Sequence, residues 1–247
     1  MQKFKFYTIA IIFFAFNTAF GQTTTPVNHF DKVIISPHIH ITFVEGNEES
    51  VTTEKSTVSK DKIKMEVNNN TLWVYLEGAK ELTKNEKVYQ NGNKVSQPLY
   101  SGTVVAATIS YKTLNTLSVR GEETIICKSL LKGNLFRLNI YGESQVLLNE
   151  VKLGEFRASI YGESSLEIKS GFIRNQKYTV YGNSKVNSLS INNDSTRIIA
   201  YGDADLQINA SKEIKITSYG DANIEYKGNA IINKGLNIGE VQIKKIE

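Results

Sequence analysis

The dipeptide Tyr-Gly, followed by a carboxylate or amide and then by Ser or Ala, recurs at Tyr141, Tyr161, Tyr181, Tyr201 and Tyr219. The intervals are 20, 20, 20 and 18 residues. A fixed period of this length, filled with short alternating apolar runs and closed by glycine, commits a chain to a solenoid in which each unit buries its apolar face only against its neighbours.

Aligned from Arg137, Arg157, Lys177, Arg197 and Lys215, each unit reads basic, apolar, small polar, apolar or small, Tyr, Gly, acid or amide, Ser or Ala. A sixth, imperfect unit starts at Thr116 and has Arg120-Gly121-Glu122 where the others have Tyr, Gly and the acid or amide. Side chains alternate between the faces of a strand. That parity sends Leu138 and Ile140, Ala158 and Ile160, Tyr178 and Val180, and Ile198 and Ala200 inward. After the turn it sends Val146 and Leu148, Leu166 and Ile168, Leu206 and Ile208, and Ile224 and Tyr226 inward. The remaining residues of each unit, such as Phe172 to Arg174 and Ser188 to Ile191, read as a third, less regular side. Glycine at the corner accepts positive φ at little cost, and the Ser or Ala two places later fits inside the bend. The expected fold is all-β: a right-handed parallel β-helix with about 20 residues per rung, stacked at the ~4.8 Å strand spacing, with irregular β caps at both ends. The alternative is a sandwich or leaf-like solenoid, but a sandwich needs turns without a rigid repeat.

The rest of the chain divides around this block. Lys3 and Lys5 precede an apolar run from Tyr7 to Phe16, and Ala19-Phe20-Gly21 supplies small residues for a signal peptidase, so residues 1–21 read as a cleaved signal peptide. The run is too short for a stable membrane span, which needs about 20 residues, and no second one follows. Residues 22–29 read as a short linker and 30–247 as a single domain. Within it, 30–115 are irregular first rungs, 116–226 the regular rungs and 227–247 a C-terminal cap. Strand-like runs are Asp31 to Ile35, Ile39 to Val44, Val51 to Glu54, Lys62 to Val67, Leu72 to Leu76 and Thr103 to Tyr111. The polar stretch 78–102 reads as a long surface loop or ragged hairpin. Three prolines in 247 residues, and no sustained apolar stripe at helical period, predict almost no helix.

Without the signal, 27 basic residues face 25 acidic ones. That balance gives no reason to expect nucleic acid as a partner. Cys127 is the only cysteine, which excludes an internal disulfide and offers no lipid attachment point beside the signal. It reads as a small buried apolar group.

Phe30-Asp31-Lys32-Val33, Val44-Glu45-Gly46, Leu117-Ser118-Val119 and the recurring Gly-acid-Ser/Ala steps resemble the GIN domain, described as the head of putative autotransporter adhesins. The resemblance spans most of the mature chain. It implies a β-helical, exported bacterial protein with adhesion as its name-bearing role, and it brings no catalytic residues. No membrane-spanning barrel pattern follows the repeats.

Function is therefore sought on the outward positions. Stacking places Arg137, Arg157, Lys177, Arg197 and Lys215 in one column and Tyr141, Tyr161, Tyr181, Tyr201 and Tyr219 in another on the same face. The low strip between them is Asn139, Ser159, Thr179, Ile199 and Thr217. Beyond the corner runs an acidic or amide column of Glu143, Glu163, Asn183, Asp203 and Asp221. Tyr combines an apolar ring with a hydroxyl, which suits glycans and protein partners. Equivalent rings one rung apart also stack without any ligand, and loop 78–102 could cover them. The expected role is a non-catalytic binding or adhesion module of the cell envelope, periplasmic or extracellular, contacting glycan or another envelope protein. A carbohydrate-active lyase or hydrolase using Asp203, Asp205 and Asp221 near Arg197 is the first alternative, and a purely structural envelope protein the second. No catalytic set, cofactor or metal site is recognised. His38 and His40 alternate on one face of a strand but lack a third ligand, and the acidic column matches no calcium motif.

Overall fold

The computed structural model describes residues 22–90 and 92–247. The expected signal peptide, residues 1–21, lies outside the described residues. The described chain is almost entirely strand, with a single 3-10 turn at Lys60–Lys62.

The chain forms a parallel β-solenoid whose rungs follow the sequence repeat. Arg137, Leu138, Asn139, Ile140, Tyr141 and Gly142 pair with Arg157, Ala158, Ser159, Ile160, Tyr161 and Gly162 in the next rung. The same register continues to Lys177–Tyr181, Arg197–Tyr201 and Lys215–Tyr219. Past the corner, Gln145–Leu148 pairs with Ser165–Ile168, and Ser184–Ser188 with Ala204–Ile208. The third side is more regular than its sequence: Val151, Lys152 and Leu153 pair in register with Gly171, Phe172 and Ile173. Parallel ladder bonds hold it there, so its side chains need no strict pattern.

The interior is one continuous apolar column. Leu138, Ile140, Ile160, Tyr178, Val180, Ile198 and Ala200 are fully buried, as the parity requires. Phe156 stacks on Phe136 at 6.0 Å and meets Tyr178 edge-on at 6.0 Å. The core also holds a polar chain: Tyr178 OH donates to Gln176 Oε1 at 2.6 Å, Gln176 Nε2 to Thr196 Oγ1 at 3.1 Å, and Thr196 Oγ1 to Asn193 Oδ1 at 2.8 Å. Each buried polar group thereby recovers a partner lost on leaving water. Cys127 is fully buried and its thiol is pushed up to about 12 by desolvation, so it stays neutral and inert at physiological pH.

At the corners, the serine two places after glycine is buried and hydrogen-bonded. Ser144, Ser164 and Ser184 Oγ donate to the carbonyls of Gly121, Gly142 and Gly162 at 2.8, 2.9 and 2.8 Å. Each serine thus ties its own corner to the rung below.

The N-terminal region is wound out of sequence order. Lys32–Ile35 lies between Thr71–Leu76 and Thr116–Gly121, parallel to both, and Ile39–Glu45 likewise lies between Val105–Tyr111 and the strand beginning at Thr124. The outer rung is then covered by antiparallel strands: Ile63–Asn68 on Thr71–Leu76, and Ser50–Ser56 on Val105–Tyr111. Residues 23–26, expected in a linker, instead form the strand Thr23–Pro26 against Ser50–Thr53. Three threonines favour the extended chain, and Pro26 is tolerated because this strand is an edge. Antiparallel strands remove the exposed parallel edge that would template aggregation. The polar stretch 78–102 carries a separate hairpin, Asn85–Gln90 with Asn93–Pro98. At the other end Ile231–Ile238 and Val241–Lys245 add a further parallel rung, irregular where its register shifts between Ile216 and Ser218.

Candidate functional site

The outward face of the strands ending at the corner is the surface that the repeat builds. Its five tyrosines are each 36 to 41% exposed, so the column is open to solvent along its length. Their rings are stacked nearly parallel, with interplanar angles of 2 to 5° and centroids 5.0, 4.6, 4.7 and 5.0 Å apart. Stacking assigns the ring faces to one another and leaves edges and hydroxyls for a partner. A sugar ring lying flat on Tyr161, Tyr181 or Tyr201 has no free face to lie on. Burial and the flanking phenols push the Tyr161 hydroxyl up, so it remains a neutral donor and acceptor.

Arg137, Arg157, Lys177, Arg197 and Lys215 form the basic column in register. Among the described residues only Arg157 of these five makes an ion pair, through Nε to Glu155 Oε1 at 2.6 Å. Like charges one rung apart repel unless a counter-charge lies beside them. The strip between the columns is half-buried and low, with Asn139 Nδ2 donating to Ser118 Oγ at 3.2 Å.

Glu143, Glu163, Asn183, Asp203 and Asp221 line the far side of the corner and are exposed. No group of three or more His, Cys, Asp or Glu among the described residues is arranged to hold a metal ion. Asp203, Asp205 and Asp221 share a shallow cleft with Glu240, and both Asp203 and Asp205 face solvent. Asp221 Oδ1 accepts the Glu240 backbone N–H at 2.8 Å.

The histidine pair resolves differently from its sequence reading. His38 precedes the strand Ile39–Glu45 in a left-handed conformation, φ +71°, rather than alternating with His40 along it. Pro37 precedes His38, and proline favours the first central position of a turn whose second central residue takes positive φ. Both His38 ring nitrogens are engaged, Nδ1 donating to the Gly102 carbonyl at 2.8 Å and Nε2 bonded to Thr83 Oγ1 at 2.6 Å. His38 therefore fastens the 78–102 insertion to the solenoid. The insertion does not cover the tyrosine column; Glu81, Leu82 and Thr83 reach only its Tyr141 end.

That end holds residues whose roles the repeat alone does not give. Arg120 replaces tyrosine in the column and lies 5.8 Å from the Tyr141 ring and 5.7 Å from Trp73. Lys80 Nζ sits 4.4 Å from the centroids of both Trp73 and Tyr75 and pairs with Glu66 at 3.1 Å. Glu123 occupies the corner position that later units give to Ser or Ala, and it is buried. Glu123 in place of Ser or Ala, beside Arg120 in place of Tyr in the same unit, was the available signal.

Residues 29–230 match the family described as "Putative auto-transporter adhesin, head GIN domain". The chain belongs to the GIN-domain family. No curated protein matches the sequence. Among solved structures, the GIN domain is similar to a "putative adhesin" from Bacteroides fragilis, at 18% identity and TM-score 0.73, over 91% of this chain and 96% of that one. A "putative adhesin" from Parabacteroides merdae aligns at 17% identity and TM-score 0.65, over 92% and 96% of the chains. A "Putative lipid binding protein" from Parabacteroides distasonis aligns at 16% identity and TM-score 0.66, over 92% and 96%. At these identities the likeness is one of fold. Among the described residues no helix of the GIN domain is long and apolar enough to cross a membrane.

Proposed function

We propose that this GIN domain is an exported, non-catalytic adhesion module of the cell envelope, and that its tyrosine and basic face contacts an extended acidic glycan. The observation that carries the reading is the pairing of two open columns in one register. Phenol hydroxyls recur about every rung, and a line of cations, four of them without an ion pair among the described residues, runs parallel to them. A polymer with repeating hydroxyls and carboxylates meets the same groups at every rung, so weak contacts add along its length. The family description supports adhesion, and the N-terminal residues 1–21 support export.

Contact through ring edges makes a specific demand. Tyr161→Phe with Tyr181→Phe keeps the stack and removes two hydroxyls. On a glycan array, binding by this variant is expected to fall roughly 5- to 30-fold, for about 1–2 kcal/mol in lost hydrogen bonds. Unchanged binding would remove the tyrosine column from the contact.

A further inference from the structure

A second cleft, of about 500 Å³, opens where the 78–102 insertion passes the first glycine corner. Its size is that of a small-ligand site. Pro37, Gly121, Gly142 and the Tyr141 ring supply apolar wall, and Leu82 stands on the rim with 82% of its surface exposed. Glu122 and Glu143 border it as exposed carboxylates. Arg120 is already committed, lying 3.5 Å from Glu81 and between the rings of Trp73 and Tyr141.

The decisive group is Glu123. Its side chain is only 5% exposed and lines this cleft. One carboxylate oxygen, Oε2, accepts the Glu122 backbone N–H at 3.1 Å. The other, Oε1, has no donor at hydrogen-bond distance among the described residues. The nearest basic nitrogen is His38 Nδ1 at 3.9 Å, and that atom donates to the Gly102 carbonyl instead. Oε1 is the oxygen left without a protein donor, on a side chain that lines the cleft, so it is an acceptor open to solvent or to a ligand held there. Packing does not require the charge, because the next three corners use serine in this position.

We propose that this cleft binds a small organic cation, a primary ammonium group carried on a compact body with an apolar face, with the ammonium on Glu123 Oε1. Glu122 and Glu143 add to the negative potential at the mouth and select against anions. The apolar wall takes the rest of the ligand. This site adjoins the proposed glycan-binding face at Tyr141, which lines both, and has the opposite charge preference.

The test uses calorimetric titration of the whole mature chain with glucosamine, N-acetylglucosamine and cadaverine. Glucosamine or cadaverine is expected to bind, and whichever binds more tightly distinguishes a sugar from an alkyl body. N-acetylglucosamine has the same ring as glucosamine without the cation and is expected to bind at least 10-fold more weakly than the tighter amine. Glu123→Ser installs the residue of the following corners, so it is expected to keep the thermal transition while weakening amine binding at least 10-fold. Neither amine binding, equal binding of N-acetylglucosamine, or amine binding unchanged in a folded Glu123→Ser variant would each overturn the proposal. The comparison among ligands on the unaltered chain stands even where the variant fails to fold.

Discussion

Gly162→Ala is expected to destabilise the protein by roughly 3–5 kcal/mol and to lower its melting temperature by about 6–20 °C. Two costs combine there. Gly162 sits at φ +109°, a conformation that L side chains rarely adopt, at a strain of about 1–3 kcal/mol. An added Cβ would also be driven into the Gly142 carbonyl oxygen and lie 3.1 Å from its carbon. That carbonyl cannot retreat, because it accepts the Ser164 hydroxyl at 2.9 Å and the Glu163 N–H at 3.0 Å. Gly102→Ala provides the comparison, since φ is +58° and nothing lies within 4 Å of a new Cβ. Its cost should be ~1 kcal/mol. Urea unfolding of the two variants separates conformational strain from close approach. Equal effects would mean that the corners do not pack as tightly as the rung stacking requires.

Phe156→Ala is expected to cost about 3–5 kcal/mol by chemical denaturation. The ring is fully buried, parallel to Phe136 at an interplanar angle of 7° and edge-on to Tyr178 at 77°. A solenoid interior has no second layer of side chains to collapse into the space. The cavity is therefore borne by the adjoining rungs alone, and hydrogen exchange should rise there before it rises elsewhere. Phe172→Ala, one side away and 39% exposed, is expected to change stability by only about 0.5 kcal/mol or less.

The regular rungs were legible because a period near twenty and an alternation of two fix side-chain placement together. Leu138, Ile160, Val180 and Ile198 could be sent inward from parity alone, and Gly142 and Gly162 could be placed at corners from their spacing. The winding of the first rungs was not legible in this way. Nothing local in Lys32–Ile35 says that its neighbours are Thr71–Leu76 and Thr116–Gly121, since long-range pairing depends on burial of the whole end. The third side also looked irregular because hydrogen bonds to adjacent rungs, rather than side-chain alternation, define it.

For the candidate site, the columns followed from register, but the orientation of the tyrosine rings did not. Rings 4.6 to 5.0 Å apart have satisfied their faces with each other, which shifts recognition to hydroxyls and neighbouring cations. His38 and Glu123 were misread or passed over for one reason. Each takes its role from the 78–102 insertion, whose return to the corner is a tertiary event. The repeat explains the scaffold, and departures from the repeat locate the second cleft.

The central claim is that the basic and tyrosine columns form one binding surface. Its most direct test is the retention of acidic glycans on an array by the unaltered protein and by Arg157→Glu, Lys177→Glu, Arg197→Glu combined, with matched circular dichroism as the control for folding. The account predicts retention of uronate-bearing or sulfated glycans by the unaltered protein and a loss of at least 10-fold in the variant. Equal retention of those glycans by a folded variant, or no retention by either protein, would contradict it.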